Sequence, residues 1–233
     1  MKKILISFGS SGYSGTLNKL KESANGFFDE VILYDEEKIS DFIQTHQEHF
    51  KYTRGFGYWV WKPYIILKTL EKCDEGDIVF YSDSTVLFTD SPTELFDILK
   101  LEDICLFSTT YKNRTYTKYD TFTLMGLTDD KYIDGEHANA AFILIKKSDK
   151  SVSFIREFLS NCENINMISD ENKSGVSIEG FSQHRHDQSI LSLMAIKYGI
   201  KLHRDPSQWG ASQTNLFSNS NYKTIIKHHR NKF

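Results

Sequence analysis

The sequence predicts a single α/β domain, a mostly parallel sheet with helices on both faces. Short apolar runs of strand length alternate along the chain with stretches of helical character, the pattern of a largely parallel sheet. A chain of 233 residues fits one large domain better than two small ones. Hydrophobic residues make up 39%, with 12 Tyr and 17 Phe, so a sizeable core is available; only 3 Pro and 13 Gly argue against disordered or repetitive architecture.

The elements follow in order. Lys3–Phe8 reads as a buried strand that runs into the turn 9–12 (GSSG). Thr16–Phe27 reads as a helix with Leu17, Leu20 and Ala24 on one face, and Val31–Tyr34 as a short second strand. Tyr64–Leu70 is helical, and Pro63 suits a first helical turn, where its missing N–H costs nothing. Asp77–Tyr81 is a strand that stops at the polar cluster Ser82, Asp83, Ser84, Thr85. Ser91 and Pro92 start a helix through Lys100, Asp103–Phe107 and Ala140–Lys146 read as later strands, and Ser148–Cys162 and Asp187–Tyr198 as amphipathic helices. Ile165–Gln183 is polar and long, which reads as a mobile lid or as an ordinary surface loop.

Several function classes are disfavoured at once. The net charge of -3 gives none of the basic excess of a nucleic-acid binder. The cysteines (Cys73, Cys105, Cys162) are odd in number and contain no Cys-x-x-Cys pair, which excludes a thiolate zinc site and speaks against a disulfide framework. The first apolar stretch, Ile4–Phe8, is too short for a signal peptide, and a membrane span needs about 20 apolar residues. The expectation is a cytoplasmic protein without an integral membrane segment, touching a membrane peripherally at most.

The glycines at positions 9, 12 and 15 do not make the dinucleotide fingerprint G-x-G-x-x-G, because Ser11 stands where the second glycine must let the backbone approach a pyrophosphate. A turn after the first strand still offers backbone N–H groups to a nucleotide, or is a plain turn. Asp83 follows the apolar run 78–81 (IVFY), which puts a carboxylate at the C-terminal end of a central strand, the edge where open α/β sheets bind ligands. A carboxylate there suits the hard cation that accompanies a pyrophosphate; taken alone, it also reads as a turn or cap residue. Tyr58, Trp59, Trp61 and Lys62 form an aromatic and basic cluster suited to sugar, base and phosphate, although Trp59 and Trp61 alternating along an extended segment would simply fill core. Asp187, at a helix start behind His184, Arg185 and His186, is either an N-cap or a functional carboxylate.

The chain carries, in order, RGFGYWVWKPY (54–64), GDIVFYSDS (76–84) and HRHDQSI (184–190), with ISFG (6–9), KYDTFTLMG (118–126), NAAFILIK (139–146) and KHHRN (227–231) in support. In this set it resembles a group of small bacterial and viral GT-A glycosyltransferases over nearly its whole length. The resemblance implies a single GT-A (Rossmann-like) domain over 1–233, with a nucleotide-binding part at about 1–110 and an acceptor and catalytic part at about 111–233. It implies transfer of a sugar from a nucleoside-diphosphate sugar, assisted by Mn²⁺ or Mg²⁺, to a hydroxyl of a glycan or lipid-linked acceptor. The donor nucleotide is then expected against Ser7, Phe8, Gly9, Tyr13, Arg54, Tyr58, Trp61, Lys62, Tyr81, Ser82 and Asp83. The group's Asp-x-Asp metal motif is half present: Tyr81 replaces its first carboxylate, or Thr85 its second, so Asp83 is the expected metal ligand, completed by His228 or His229. Asp187 and Gln188 are expected at the transfer centre, Asp187 as general base if the anomeric centre inverts, or both as positioning groups if it is retained. Asp120 with Lys118, and Asp134, Glu136 and His137, are expected on the acceptor side, the acceptor entering beside a Lys118–Met125 helix.

Two rivals remain. A sugar-phosphate nucleotidyltransferase is expected to carry a longer, basic glycine-rich loop, and Phe8–Gly15 has no Lys or Arg. A non-catalytic nucleotide-sugar or glycan-binding protein on a degenerate transferase fold fits the incomplete Asp-x-Asp.

Overall fold

The computed structural model describes residues 1–229. Arg230 and Asn231, which close the motif 227–231, lie outside the described residues. Five strands form the main sheet in the order β2–β1–β3–β6–β5: β1 (Lys3–Phe8), β2 (Glu30–Tyr34), β3 (Ile78–Ser82), β5 (Ile104–Lys112) and β6 (Glu136–Lys146). β1 pairs parallel with both β2 and β3, while β6 runs antiparallel to β3 and β5. Four strands therefore point one way and β6 the other, and the α/β, mostly parallel expectation holds.

Every residue of β3 is buried, as expected of an inner strand covered on both faces. Its alternation divides the core. Ile4, Ile6, Phe8, Val79 and Tyr81 face one layer, packed by the helices α2 (Trp61–Leu70), α3 (Asp149–Glu163) and α4 (His186–Lys197). Leu5, Ile78, Phe80, Phe142 and Leu144 face the other, under α1 (Ser14–Ser23) and the short helix Thr93–Ile98. Ser148 begins α3 with a reciprocal capping box to Ser151, which satisfies N–H groups that a helix start leaves free.

The elements read from the sequence are present with shifted ends, except that α4, expected to be amphipathic, is buried on nearly every side from His186 to Ala195. α1 starts at Ser14 and stops at Ser23, α2 starts three residues before Tyr64 with Pro63 in its first turn, and β6 extends back to Glu136. Pro92 is the N-cap of the Thr93–Ile98 helix. A small second sheet was not foreseen: β4 (Val86–Phe88) pairs antiparallel with β7 (Ile226–His228), tying the C-terminal segment to the end of β3. The segment 165–183 contains a short helix, Ile165–Ile168, and is pinned. The Asp120 carboxylate accepts from the backbone N–H of Lys173 (2.6 Å) and Ser174, and Lys118 Nζ donates to the carbonyls of Ser169 (2.6 Å) and Glu171 (2.7 Å).

The largest departure lies at 55–59. Gly55, Phe56, Gly57, Tyr58 and Trp59 all have positive φ (58°, 48°, 85°, 58° and 62°), so the chain makes one left-handed turn. Tyr58 N–H donates to Arg54 O (2.9 Å) and Trp59 N–H to Gly55 O (3.1 Å), closing it. The two tryptophans therefore do not alternate along an extended strand. L-residues resist left-handed turns by about 1–2 kcal/mol each, and glycine at two of the five positions lowers that cost.

Gly12 and Gly55 separate the cost of a positive φ from that of crowding. A Cβ at Gly12 (φ +89°) meets nothing within 4 Å, whereas at Gly55 (φ +58°) it falls 2.2 Å from Cε3 of Trp59. Gly12→Ala is expected to cost about 1–2 kcal/mol, and Gly55→Ala distinctly more, because the indole must move. Urea denaturation of both variants checks this; equal losses would contradict the packing of Trp59.

Candidate active site

The left-handed turn delivers the chain into α2 with Trp61 facing the sheet. Trp61 Nε1 donates back to Gly55 O (3.1 Å), and its ring stacks on Phe8 at 4.1 Å. One residue on, Lys62 is 3% exposed. Its Nζ lies 2.7 Å from Asp187 Oδ2 and 3.7 Å from Asp83 Oδ1, and donates to Ala140 O at 3.0 Å. Three segments distant in sequence thus converge on one ammonium: the end of β3, the middle of β6 and the start of α4. Burial pulls the Lys62 ammonium down, but Asp187 and Asp83 outweigh it and hold its pKa above the usual lysine value. Asp187 is 3% exposed; burial pushes its carboxyl up to about 6, against the pull of Lys62.

Asp187 is not a helix cap. α4 begins at His186 with Arg185 at the N-cap position, so Asp187 sits inside the first turn and points to Lys62. Asp83, just past β3, accepts a hydrogen bond from the buried Tyr81 hydroxyl (2.6 Å) at Oδ1. Its Oδ2 has no hydrogen bond among the described residues.

Two cavities open along this edge of the sheet and share Trp59, Asp83 and Thr85 in their walls. The smaller, about 270 Å³, lies over the end of β1 and is lined by Phe8, Gly9, Tyr13, Trp61, Tyr81 and Asp83. The larger, about 750 Å³, takes in Arg54, Lys62, Asp83, Asp187, Gln188 and His228. Ser7, Tyr58 and Ser82 line neither. Ser7 and Ser82 are fully buried, Ser82 Oγ donating to Asp83 O (3.1 Å), and Tyr58 stacks on His186 at 4.7 Å.

The five groups expected on the acceptor side line neither cavity either. Asp120 and Lys118 hold the 165–183 segment, as described above. Asp134 forms a two-point pair with Arg114 (2.6 and 2.9 Å), Glu136 accepts from Ser108 Oγ, and His137 Nδ1 meets Asn113 Oδ1 at 2.9 Å.

The far wall of the large cavity was missed by sequence reading. A register shift in the β5–β6 ladder between Ser108 and Lys112 turns Thr109–Tyr111 into the cavity, with Thr110 at φ +62°. Asn139 Nδ2 donates to the buried Asp205 Oδ2 (2.8 Å), and Trp209, 57% exposed, stacks on His228 at 3.8 Å. Gly210 makes this bend possible: a Cβ there would fall 2.0 Å from Asp205 O. The one signal available was composition, a tryptophan in an otherwise polar stretch.

Among the described residues, no group of three or more His, Cys, Asp or Glu could hold a metal ion by itself. Two donors nevertheless suit one. Asp83 has an uncommitted oxygen, and the buried His228 Nε2 has no hydrogen-bond partner among the described residues, on the wall of the same cavity. Burial lowers the pKa of His228 despite the opposing charges of Asp205 and Asp83, which favours the neutral imidazole that ligates metals. His229 is tied through its backbone N–H to Thr85 O (3.0 Å) and does not line either cavity.

No protein-family model matches the sequence, and no curated protein matches it significantly. Solved structures match its fold. Mouse xyloside xylosyltransferase 1 (apo form) superposes with a TM-score of 0.53 at 10% identity, covering 99% of this chain and 98% of that one. The galactosyltransferase LgtC, solved with donor and acceptor sugar analogs, gives 0.52 at 15% identity, covering 98% of this chain and 87% of that one. At these identities the likeness shows the fold, that of GT-A glycosyltransferases. No helix among the described residues is long and apolar enough to cross a membrane.

The position of Asp187 has a consequence for stability. Its folded pKa, about 6, lies above the unfolded value of about 4, so the native state favours the protonated form. That contribution is complete below about pH 4 and is lost as pH rises towards 6, by up to about 3 kcal/mol. The stability of the wild type minus that of Asp187→Asn is therefore expected to grow as pH falls from 7 to 4.5. Urea denaturation at both pH values checks it; a difference that shrinks on acidification would mean that Lys62 dominates over burial.

Proposed function

We propose that this chain is a glycosyltransferase that moves a sugar from a nucleoside-diphosphate sugar to a hydroxyl of a glycan or lipid-linked sugar. The observation that carries the reading is Asp83, set in the wall shared by two cavities and linked through Lys62 to the buried Asp187. The fold likeness to two glycosyltransferases supports it.

In this reading the small cavity receives the nucleotide. The turn after β1 and Tyr13 edge the base and ribose, over a floor made by the stacked Phe8 and Trp61. The diphosphate lies at Asp83, and the transferred sugar points into the large cavity towards Asp187 and Gln188. Asp83 and His228 would hold a divalent cation, Mn²⁺ or Mg²⁺. When bound, the cation neutralises charge on the leaving diphosphate.

Lys62 keeps its charge and fixes Asp187 at the inner end of the cavity. Its ammonium is already engaged by two carboxylates and a carbonyl, so its contribution to the donor is to hold the Asp83 and Asp187 carboxylates in place. With a pKa of about 6, Asp187 is ionised at neutral pH and still basic enough to take a proton from an acceptor hydroxyl.

Calorimetric titration of UDP and GDP, with and without Mn²⁺, checks the donor site. Wild type is expected to bind one of them more tightly with Mn²⁺, and Asp83→Asn to lose that enhancement because the amide removes the charge that holds the cation. Unchanged affinity in the mutant would remove Asp83 from the donor site. Asp187→Asn is expected to stay folded at pH 7 by circular dichroism and to lose roughly 10²–10⁴ in transfer rate. Nucleotide binding with no hydrolysis or transfer by wild type across donor sugars would favour a binding protein on this fold.

A further inference from the structure

Three cationic side chains line the large cavity from its inner end to its rim, and two are spoken for. Lys62 is paired with Asp187, and Arg54 Nη1 lies 3.5 Å from Asp170 Oδ2. The third, Arg185, has no carboxylate within 4.0 Å among the described residues. Its guanidinium lies over the Tyr116 ring, 4.5 Å from the centroid, and Tyr116 is met edge-on by Tyr111 at 5.1 Å. The Gln183 amide, turned so that its oxygen faces the guanidinium, accepts from Nη2 (3.1 Å) and Nε (3.3 Å). The backbone is fixed as well: Arg185 N–H donates to Tyr116 O (3.0 Å). A guanidinium has five N–H donors, and this one is held flat and oriented with its charge unneutralised on a cavity wall.

The place of Arg185 identifies what it faces. It lines the large cavity and not the small one. It lies two residues before Asp187, at the N-terminal end of the same helix. Tyr111, which packs on the same Tyr116 ring and is 53% exposed, lines this cavity as well. On the transferase reading, which this inference rests on, that is the acceptor side of the transfer centre. A fixed, unpaired guanidinium beside an aromatic face suits a sugar that carries an anion, since planar carboxylate and phosphate oxygens match the guanidinium fork. We infer that the acceptor carries a carboxylate or a phosphate ester on or next to the accepting sugar, and that Arg185 pairs with it. Its closeness to Asp187 makes it a specificity determinant for the acceptor.

The experiment compares methyl glucoside and methyl galactoside with their uronate and 6-phosphate counterparts, by ligand-detected NMR at low salt. The charged members of a pair are expected to bind about tenfold or more tightly than the neutral one. Arg185→Ala should erase that preference, and Arg185→Lys should restore part of it. Preference for the uronate or for the phosphate identifies which anion is read. Equal binding of charged and neutral glycosides, or a preference that survives Arg185→Ala, overturns the inference. UDP and GDP are titrated on the same proteins: unchanged affinity in Arg185→Ala supports the acceptor assignment, whereas a loss matching that of the glycosides moves Arg185 to the donor diphosphate and overturns it. A wild type that binds no nucleotide yet keeps the Arg185-dependent preference defeats the transferase reading alone, and leaves the anion site standing.

Discussion

Burying the Lys62 ammonium is the constraint around which this edge of the molecule is built. A charge removed from water is costly unless opposite charge and hydrogen bonds surround it. Here the partners come from three elements far apart in the chain: Asp83 beyond β3, the Ala140 carbonyl in β6 and Asp187 in α4. Each contact therefore also fixes where an element ends relative to the others. The same cluster that solves the desolvation problem sets two carboxylates side by side on a cavity wall, one deep and one at the junction of two cavities. Stability and site geometry are one problem at this point of the fold.

Strain is concentrated at the same edge. Five non-glycine residues among those described have positive φ: Phe56, Tyr58, Trp59, Thr110 and His186. All but Tyr58 line one of the two cavities, and Tyr58 stacks on His186. Such conformations persist only where surrounding structure enforces them. For the 55–59 turn the enforcement is visible: Trp61 donates back to Gly55, Phe56 packs on Phe8, and His186 stacks beneath the turn with Nδ1 bonded to Ile168 O at 2.8 Å. The turn brings Trp59 into the wall that both cavities share, which an extended strand through the same residues would not do.

What the sequence disclosed follows from the range of the interactions involved. β1 and β3 are local signals, continuous apolar runs ended by polar residues, and Asp83 at a strand end follows from the same pattern. The Lys62–Asp187 pair joins residues 125 positions apart by numbering, and no local pattern encodes it. β4 and β7 are three residues each and exist because they pair with one another across the chain, so neither has a periodicity to read. For Asp187 at a helix start the local pattern leaves cap and functional carboxylate both open, since the two look alike in sequence; burial and the Lys62 contact tell them apart. The left-handed turn did leave a trace, two glycines one residue apart before an aromatic cluster, but glycine spacing alone does not separate a left-handed turn from a loop.

Electrostatics also accounts for the tyrosine at position 81, which in one of the two readings of the half-present Asp-x-Asp stands where a carboxylate would. Lys62 is the single buried cation among the described residues that lies within 4 Å of both Asp83 and Asp187. A third carboxylate on the same strand end would leave two negative charges unbalanced in a poorly solvated place, and one of them would take up a proton. Tyr81 avoids that. It is buried, burial and the adjacent Asp83 hold its hydroxyl proton in place well beyond the usual tyrosine range, and that proton is donated to Asp83 Oδ1 at 2.6 Å. One oxygen of Asp83 is thereby fixed by a neutral donor while the other stays available on the cavity wall. The Tyr81 hydroxyl thus orients Asp83 without adding a third negative charge to the two that Asp83 and Asp187 already set against Lys62.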